Sequence, residues 1–308
     1  MRIYTVTLNP AYDIHAKAAK LELLHENLAH VISREAGGKG INISRALTVN
    51  NVSNTAIAVL GKENAADFKN ALSAWGMNCI LFEKEGRIRE NLTLHARDGE
   101  TRISFAGFSL DGSILDEILR AIDVDENTVV TFTGRVPDGI DMGDVKKFLS
   151  VLRQRGAKIV VDSRSFSLED ILEVKPWLIK PNEEEISMYF GCDINDLHTA
   201  ARMARAFVSG GVENVSVSLG AAGAVLLRED GAYIARPPKI DALSTIGAGD
   251  SSVAGFIAAF AEGASPMECL RRGVAFGSAA CLTEGTLPPK AEDVQTLLPL
   301  VTAEKINL

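Results

Sequence analysis

The chain has 308 residues, of which 46% are hydrophobic and 23% charged, with a formal net charge of −8. That composition excludes a disordered or fibrous chain, and the length suits two small domains or one large α/β domain with an appendage. The acidic balance supplies no basic field, so nucleic acid is not an expected partner.

The opening residues 1–10 lack a charged segment followed by an apolar one, so they do not read as a signal peptide. The most apolar stretch, residues 252–261, is too short to span a bilayer and runs into Glu262, so no membrane association is expected. Cys79, Cys192, Cys269 and Cys281 lie far apart without Cys-x-x-Cys spacing, and His15, His25, His30, His95 and His198 form no ligand pair. Neither a zinc site nor a disulfide framework follows, and a cytoplasmic, reducing compartment is the simple reading.

In chain order, residues 13–18 and 28–33 read as short strands without a partner helix. Residues 55–60 form a β-branched run, followed by an amphipathic helix over 65–75. Residues 91–95 and 101–105 alternate polar with apolar around Asp98-Gly99, the pattern of a hairpin. Strand-like runs at 128–133, 158–161, 177–180 and 215–219 then alternate with helical patterns at 145–155, 168–173, 183–190 and 200–210. Residues 224–228 and 232–235 read as an antiparallel pair, and the remaining C-terminal third as helices over 250–262, 266–283 and 291–298. Continuous apolar strands alternating with helices predict an α/β, Rossmann-like fold with a mostly parallel central sheet covered on both faces. The strands near the N-terminus and the 91–105 hairpin predict a small separate sheet, which would fold over a cleft, pair with another subunit, or both.

Four segments carry candidate chemistry. Thr245-Ile246-Gly247-Ala248-Gly249-Asp250-Ser251 precedes an apolar helix; its glycines free backbone N–H groups, and the helix adds its positive N-terminal end. The amides of Gly247, Ala248 and Gly249 would then form an anion hole for a phosphoryl group in flight, with Asp250 placed to accept a proton from an attacking hydroxyl. A plain helix start capped by Asp250 is the structural alternative. Glu35-Ala36-Gly37-Gly38-Lys39-Gly40-Ile41-Asn42 is neither a Walker A sequence nor a dinucleotide turn. Its glycines allow close backbone approach to a polar ligand, Lys39 offers a point charge to a phosphate, and Asn42 can bond hydroxyls; a tight strand-to-helix turn explains it equally. Lys180-Pro181-Asn182-Glu183-Glu184-Glu185 follows a buried strand. Asn182 and Glu185, one helical turn apart, could hold the water shell of Mg²⁺, or simply cap the helix. Val217-Ser218-Leu219-Gly220-Ala221-Ala222-Gly223-Ala224 is a small-residue turn that suits nucleotide phosphates or a bare hairpin. Arg89, Asn91 and Arg135 are further candidate contacts to an anionic substrate.

In this order and spacing, the segments resemble the ribokinase-like (PfkB) carbohydrate kinases over essentially the whole chain. Gly247–Asp250 resembles that family's C-terminal signature, residues 37–42 its glycine motif, and residues 180–185 its Asn-x-x-Glu magnesium motif. Thr7-Leu8-Asn9-Pro10-Ala11-Tyr12-Asp13, with residues 37–42, 176–182 and 234–241, is most similar to the branch acting on ketose phosphates such as fructose 1-phosphate and tagatose 6-phosphate. The resemblance implies transfer of a phosphoryl group from ATP, with Mg²⁺, to a ketose-phosphate hydroxyl. Asp250 would be the base over the Gly247–Gly249 anion hole. Asp13, Gly37, Gly38, Lys39, Asn42, Arg89, Asn91 and Arg135 would hold the sugar phosphate. Lys180, Asn182, Ser218, Gly220 and Gly223 would line the nucleotide site, and Asn182 and Glu185 would order Mg²⁺ through water. It also implies one kinase domain over residues 1–308, with a β-lid from about 11–34 and 88–107 that clasps a second copy as a homodimer. Two positions depart from the family pattern. Arg135 stands where relatives usually carry a small hydroxyl residue, and Asp162-Ser163-Arg164-Ser165 replaces the commoner Asp-Thr-Ser-Gly. A protein that senses a sugar phosphate without catalysis is the alternative from a different class, but it would have no use for Asp250 together with the anion hole, Asn182 and Glu185.

Overall fold

The apolar runs become interior strands. The structure, a computed structural model, describes residues 1–194 and 196–307. The chain begins β1 (Arg2–Thr7), β2 (Ala11–Ala18), β3 (Ala29–Gly37), α1 (Lys39–Val49), β4 (Thr55–Gly61), α2 (Ala65–Ala74), β5 (Cys79–Lys84), β6 (Arg89–Ala96), β7 (Gly99–Ile103) and α3 (Ser113–Ala121). It continues β8 (Thr128–Thr133), α4 (Met142–Gln154), β9 (Lys158–Asp162), α5 (Leu168–Val174), β10 (Leu178–Ile179), α6 (Glu183–Phe190) and α7 (Leu197–Ser209). It ends β11 (Asn214–Ser218), β12 (Ala224–Arg228), β13 (Gly231–Arg236), α8 (Ala248–Ala261), α9 (Pro266–Ala280), α10 (Ala291–Leu297) and β14 (Thr302–Ile306).

The large sheet has the order β14-β13-β12-β11-β10-β9-β8-β1-β4-β5. From β5 to β11 every neighbour is parallel, and β12, β13 and β14 add on antiparallel. Alternation along each strand feeds two cores. Val130, Phe132, Ile159 and Val161 pack with Phe148 of α4 and Phe207 of α7. Val129 and Val160 pack on the other face with Ile43 of α1, Val253 and Ile257 of α8, and Phe276 of α9. From β1 the chain builds outward to β4 and β5, then returns to β8 on the opposite side. Such a reversal opens a crevice at the carboxyl ends of the two flanking strands, here Thr7 and Thr133.

The small sheet has the order β3-β2-β6-β7, with β2 parallel to β6 and the outer pairs antiparallel. Asp13, His15 and Lys17 pair with Asn91, Thr93 and His95, so these polar residues share one face. Ala16, Ala18 and Leu94 form an apolar cluster with Leu21 and Leu92.

Several elements depart from the expectations. The strands β1 and β5 and the helix α3 were not foreseen, and the C-terminal third is not wholly helical, since it closes with β14 on β13. The β14 sequence Thr-Ala-Glu-Lys-Ile hides its strand character because an edge strand tolerates charged residues on its open side. The strand expected over 177–180 narrows to Leu178–Ile179, bracketed by Pro176 and Pro181, which cannot donate to a ladder. The hairpin strand β7 ends at Ile103, leaving Phe105 outside it.

Candidate active site

The carboxyl edge of the large sheet gathers the singled-out segments. β3 hands the chain to α1 through Gly38, whose φ is +124°, and a Cβ there would meet Pro10 Cα at 3.2 Å. Only glycine tolerates both the backbone angle and the approach. The turn aims Lys39 across the sheet, where its Nζ pairs with Asp162 Oδ1 at the end of β9 at 2.8 Å. One turn along α1, Asn42 Nδ2 donates to Asp250 Oδ2 at 2.9 Å.

Asp250 sits in the first turn of α8, after Gly247 at φ +79°, and caps nothing with its side chain. The capping alternative therefore fails. The carboxylate is 8% exposed. Burial raises its pKa to about 6, against the pull of Lys39 and Lys180. Intrahelical bonding starts with Ser251 N donating to Gly247 O at 2.9 Å, and Ala248 N makes a long bond to Thr245 O at 3.4 Å; the first-turn N–H groups of such a helix have no intrahelical acceptor and suit an anion. A Cβ at Gly249 would lie 3.3 Å from Lys180 Nζ, so a buried ammonium backs the same turn.

Asp162 is the residue whose part was not foreseen. Burial pushes its carboxyl upward, but the ammonium groups of Lys39 and Lys180 outweigh this and hold it below the ordinary value. Conversely, burial weakens Lys39 as an acid-base cation, and Asp162 and Asp250 more than restore it, so Lys39 stays charged. Asp162 Oδ2 has no hydrogen-bond partner and is buried. The signal available in the sequence was an Asp at the end of an apolar strand. Lys39 is thus held between two carboxylates, nearer the chemistry than a free phosphate-binding lysine would be.

The small sheet supplies a second group. Asn91 Nδ2 donates to Asp13 Oδ1 at 3.1 Å, and burial raises the Asp13 pKa despite that bond. A Cβ on Gly37 would stand 2.5 Å from Asp13 Oδ2, so the glycine makes room for this carboxylate. Arg89 reaches from β6 to the carbonyls of Asn9 at 3.2 Å and Phe105 at 3.3 Å. Burial lowers its pKa; Asp13 counters this and Arg135 adds to it. Arg135 itself is exposed, after β8. Asn9 is buried, and Asn9 Oδ1 and Asn91 Oδ1 both lack partners. Asn9 lay within the Thr7–Asp13 motif without being singled out.

The remaining candidates sit further along the edge. Asn182 Oδ1 accepts from Glu185 N at 2.8 Å, and Glu185 Oε2 accepts from Asn182 N at 3.1 Å. This is the reciprocal capping box. Glu185 Oε1 pairs with Arg164 Nε at 2.8 Å. Among the described residues no group of three His, Cys, Asp or Glu side chains is arranged to hold a metal. With both Glu185 oxygens engaged, the pair does not fit direct coordination and suits only contact through water. Ser218 ends β11 beside Asn182. Gly220 opens a short helical turn with no atom within 4 Å of a Cβ position, and Gly223 closes it at φ +107° against the Ala235 carbonyl.

The arrangement can place an anion on the α8 turn, neutralise it with Lys39 and Lys180, and offer Asp250 as a proton acceptor. Comparison with known proteins agrees with that chemistry. The profile of the pfkB family carbohydrate kinases matches residues 7–293. The chain is 31% identical over 275 residues to 1-phosphofructokinase of Haemophilus influenzae, covering 87% of both chains. It is 32% identical over 307 residues to 1-phosphofructokinase of Bacillus subtilis, covering 99% of this chain and all of the other. Its structure is similar to phosphofructokinase-2 from Escherichia coli in complex with substrates and products, with TM-score 0.89, 28% identity and coverage of 97% and 99%.

Proposed function

This chain belongs to the pfkB family of carbohydrate kinases, and from that premise we propose that it is a 1-phosphofructokinase, transferring the γ-phosphoryl of ATP to the 6-hydroxyl of fructose 1-phosphate. That it is an ATP-dependent sugar kinase follows from the family; the acceptor and the residue roles are our reading. The observation that carries it is Asp250, buried at the first turn of α8 and oriented by Asn42 beside the Lys39–Asp162 pair.

In this reading Asp250 takes the proton of the acceptor hydroxyl, and the turn at Gly247, Ala248 and Gly249 receives the migrating phosphoryl. Phosphoryl transfer asks mainly for positioning and charge stabilisation. Lys39 and Lys180 supply the charge at the transfer end, and Asp162 fixes Lys39 in place. Asp13 and Asn91 bind sugar hydroxyls, Gly37 and Gly38 let the ligand approach the backbone, and Arg89 and Arg135 receive the phosphate the sugar already carries. Lys180, Asn182, Ser218, Gly220 and Gly223 flank the nucleotide. Asn182 and Glu185 would hold Mg²⁺ through water, and the ion would supply neutralisation of the ATP phosphate charge. The small sheet, from about 11–34 and 88–107, acts as a lid that excludes water, as a site that must not hydrolyse ATP requires.

Among the described residues no helix is long and apolar enough to cross a membrane, and an ATP consumer with four free cysteines fits the cytoplasm. Val31, Ile32, Ile103 and Phe105 are exposed on or beside the small sheet, which supports a homodimer formed through it. Sedimentation should report a dimer that Val31→Asp dissociates; a wild-type monomer at micromolar concentration would refute this part.

An ADP-release assay against fructose 1-phosphate, fructose 6-phosphate, tagatose 6-phosphate and fructose tests the acceptor. The highest kcat/KM is expected for fructose 1-phosphate, and a higher value for either 6-phosphate would reassign the enzyme to that sugar. No turnover with any of them would overturn the reading.

A further inference from the structure

The polar face of the small sheet carries a residue that the transfer scheme above leaves without a task. His15 stands two positions beyond Asp13 on β2, where pairing with β3 shifts register between His15 and Ala16. A bulge of this kind re-aims a side chain. The imidazole is 8% exposed. Its Nδ1 lies 3.1 Å from His95 Nε2, so one ring donates and the other accepts, and the rings stack with centroids 5.4 Å apart. His95 Nδ1 in turn lies 3.5 Å from Glu100 Oε2.

The opposite edge of His15 leaves the small sheet altogether. A Cβ on Gly285, between α9 and α10 at φ +57°, would lie 3.4 Å from His15 Nε2. The Gly285 carbonyl accepts from Ser244 Oγ at 3.5 Å, and the same hydroxyl accepts from Ile246 N at 3.2 Å. Thr286 Cα is 3.8 Å from the Cβ position of Gly247. The His95–His15 pair therefore faces Gly285, whose carbonyl is bonded to Ser244 and through it to the turn that opens α8.

We propose that His15 is a positioning residue, a strut through which the small sheet, once seated over the acceptor, fixes the geometry of the Gly247 turn. Its hydrogen bond goes to His95, while Asp13 is bonded by Asn91 and Asp250 by Asn42, and His15 acts through Gly285. Coupling of this kind needs a physical series of groups with a defined arrangement, and the His95–His15 pair facing Gly285, with the Gly285–Ser244–Ile246 hydrogen bonds, is the one this fold offers. The value of the strut is that it ties phosphoryl capture to lid position, so that the anion turn is set only beneath a seated lid. The inference rests on the proposed function for its catalytic consequence, but not for its structural one.

The test uses the full-length protein and two readouts. In His15→Ala, amide hydrogen exchange across residues 244–249 should quicken about tenfold without ligand, while exchange in α2 stays at the wild-type rate. With the preferred acceptor, kcat should fall by about tenfold to a hundredfold, the usual cost of loosening a reacting geometry, with acceptor KM changed less than about twofold. His15→Gln, which retains length and a polar tip, should recover most of both. Unchanged exchange at 244–249 in both variants would overturn the proposal, as would a rise in acceptor KM at constant kcat, which would make His15 a substrate contact. Because exchange needs no turnover, failure of the acceptor assignment leaves this result readable on its own.

Discussion

The two sheets solve opposite problems with the same polypeptide. In the large sheet the parallel strands are covered on both faces, and at their carboxyl ends Lys39 is paired with Asp162 and also feels the charge of Asp250, which Asn42 hydrogen-bonds. In the small sheet, Asp13 has one amide for company, Arg89 spends its guanidinium on two carbonyls, and Arg135 stands exposed nearby. One region holds its lysine against carboxylates before any ligand arrives, as preorganised catalysis requires. The other is left to be completed by the acceptor. The difference teaches where to look for rate and where for affinity: substitutions at the large sheet's edge should act on kcat, and those at Asp13, Gly37, Asn91 and Arg89 beside the small sheet on acceptor KM, with His15 the exception because it acts through the Gly247 turn.

The largest expected effect lies at Asp250. Asp250→Asn should lower kcat by about 10² or more with ATP affinity nearly intact, the scale of a lost proton acceptor. The same change should stabilise the fold. A pKa of about 6 in the folded protein stands above the ordinary 3.8, so the folded state binds this proton more tightly than the unfolded chain. The ionised carboxylate therefore costs about 3 kcal/mol at pH above 6, and that cost fades as pH falls toward 4. Thermal melts at pH 7.5 should place Asp250→Asn several degrees above wild type, with the gap closing toward pH 4. Wild-type kcat should fall tenfold per pH unit below about 6. A full-rate Asp250→Asn would move the base elsewhere, and an acid limb near 4 would deny Asp250 its perturbed titration.

The contrast between the sheets also explains what was legible beforehand. Strands buried on both faces announce themselves as apolar runs, which is why residues 128–133 and 158–161 were readable with nearly correct bounds. Edge strand β14 carries glutamate and lysine and little in its composition separates it from loop, whereas β5 opens with the apolar run Cys79-Ile80-Leu81-Phe82 and should have been read. The helix α3 is strongly amphipathic and should have been read; its lack of an obvious cap concealed where it starts. At the site, glycine turns betray themselves because few residues tolerate their backbone, so Gly38 and Gly247 were visible. Asp162 and His15 were not, because their partners Lys39 and Gly285 lie more than a hundred positions away and only the fold makes them neighbours.

A smaller effect is expected on the affinity side, at Gly37. A Cβ there would stand 2.5 Å from Asp13 Oδ2, and the carboxylate would have to turn away from the position proposed to bind the sugar. Gly37→Ala should raise acceptor KM about tenfold while kcat at saturation falls less than about threefold, and the ATP KM should not move. A reversed pattern, with kcat lost and acceptor KM kept, would mean that Gly37, like His15, serves the transfer geometry and not acceptor binding.

The smallest effect is expected at Arg135, exposed at the end of β8 and close enough to Arg89 to disfavour its charge. Two cations held near one another cost free energy unless an anion sits between them, and a guanidinium suits a phosphate through paired hydrogen bonds. Exposure weakens that attraction, so Arg135→Ser should raise the KM for a phosphorylated acceptor only about threefold to tenfold, with kcat unchanged and the KM for unphosphorylated fructose unaffected. Raising salt should shrink the difference between the two proteins, since an exposed charge is screened. If KM for fructose 1-phosphate is the same in Arg135→Ser as in wild type, the guanidinium does not reach the sugar's phosphate, and the repulsion at Arg89 needs another counter-charge.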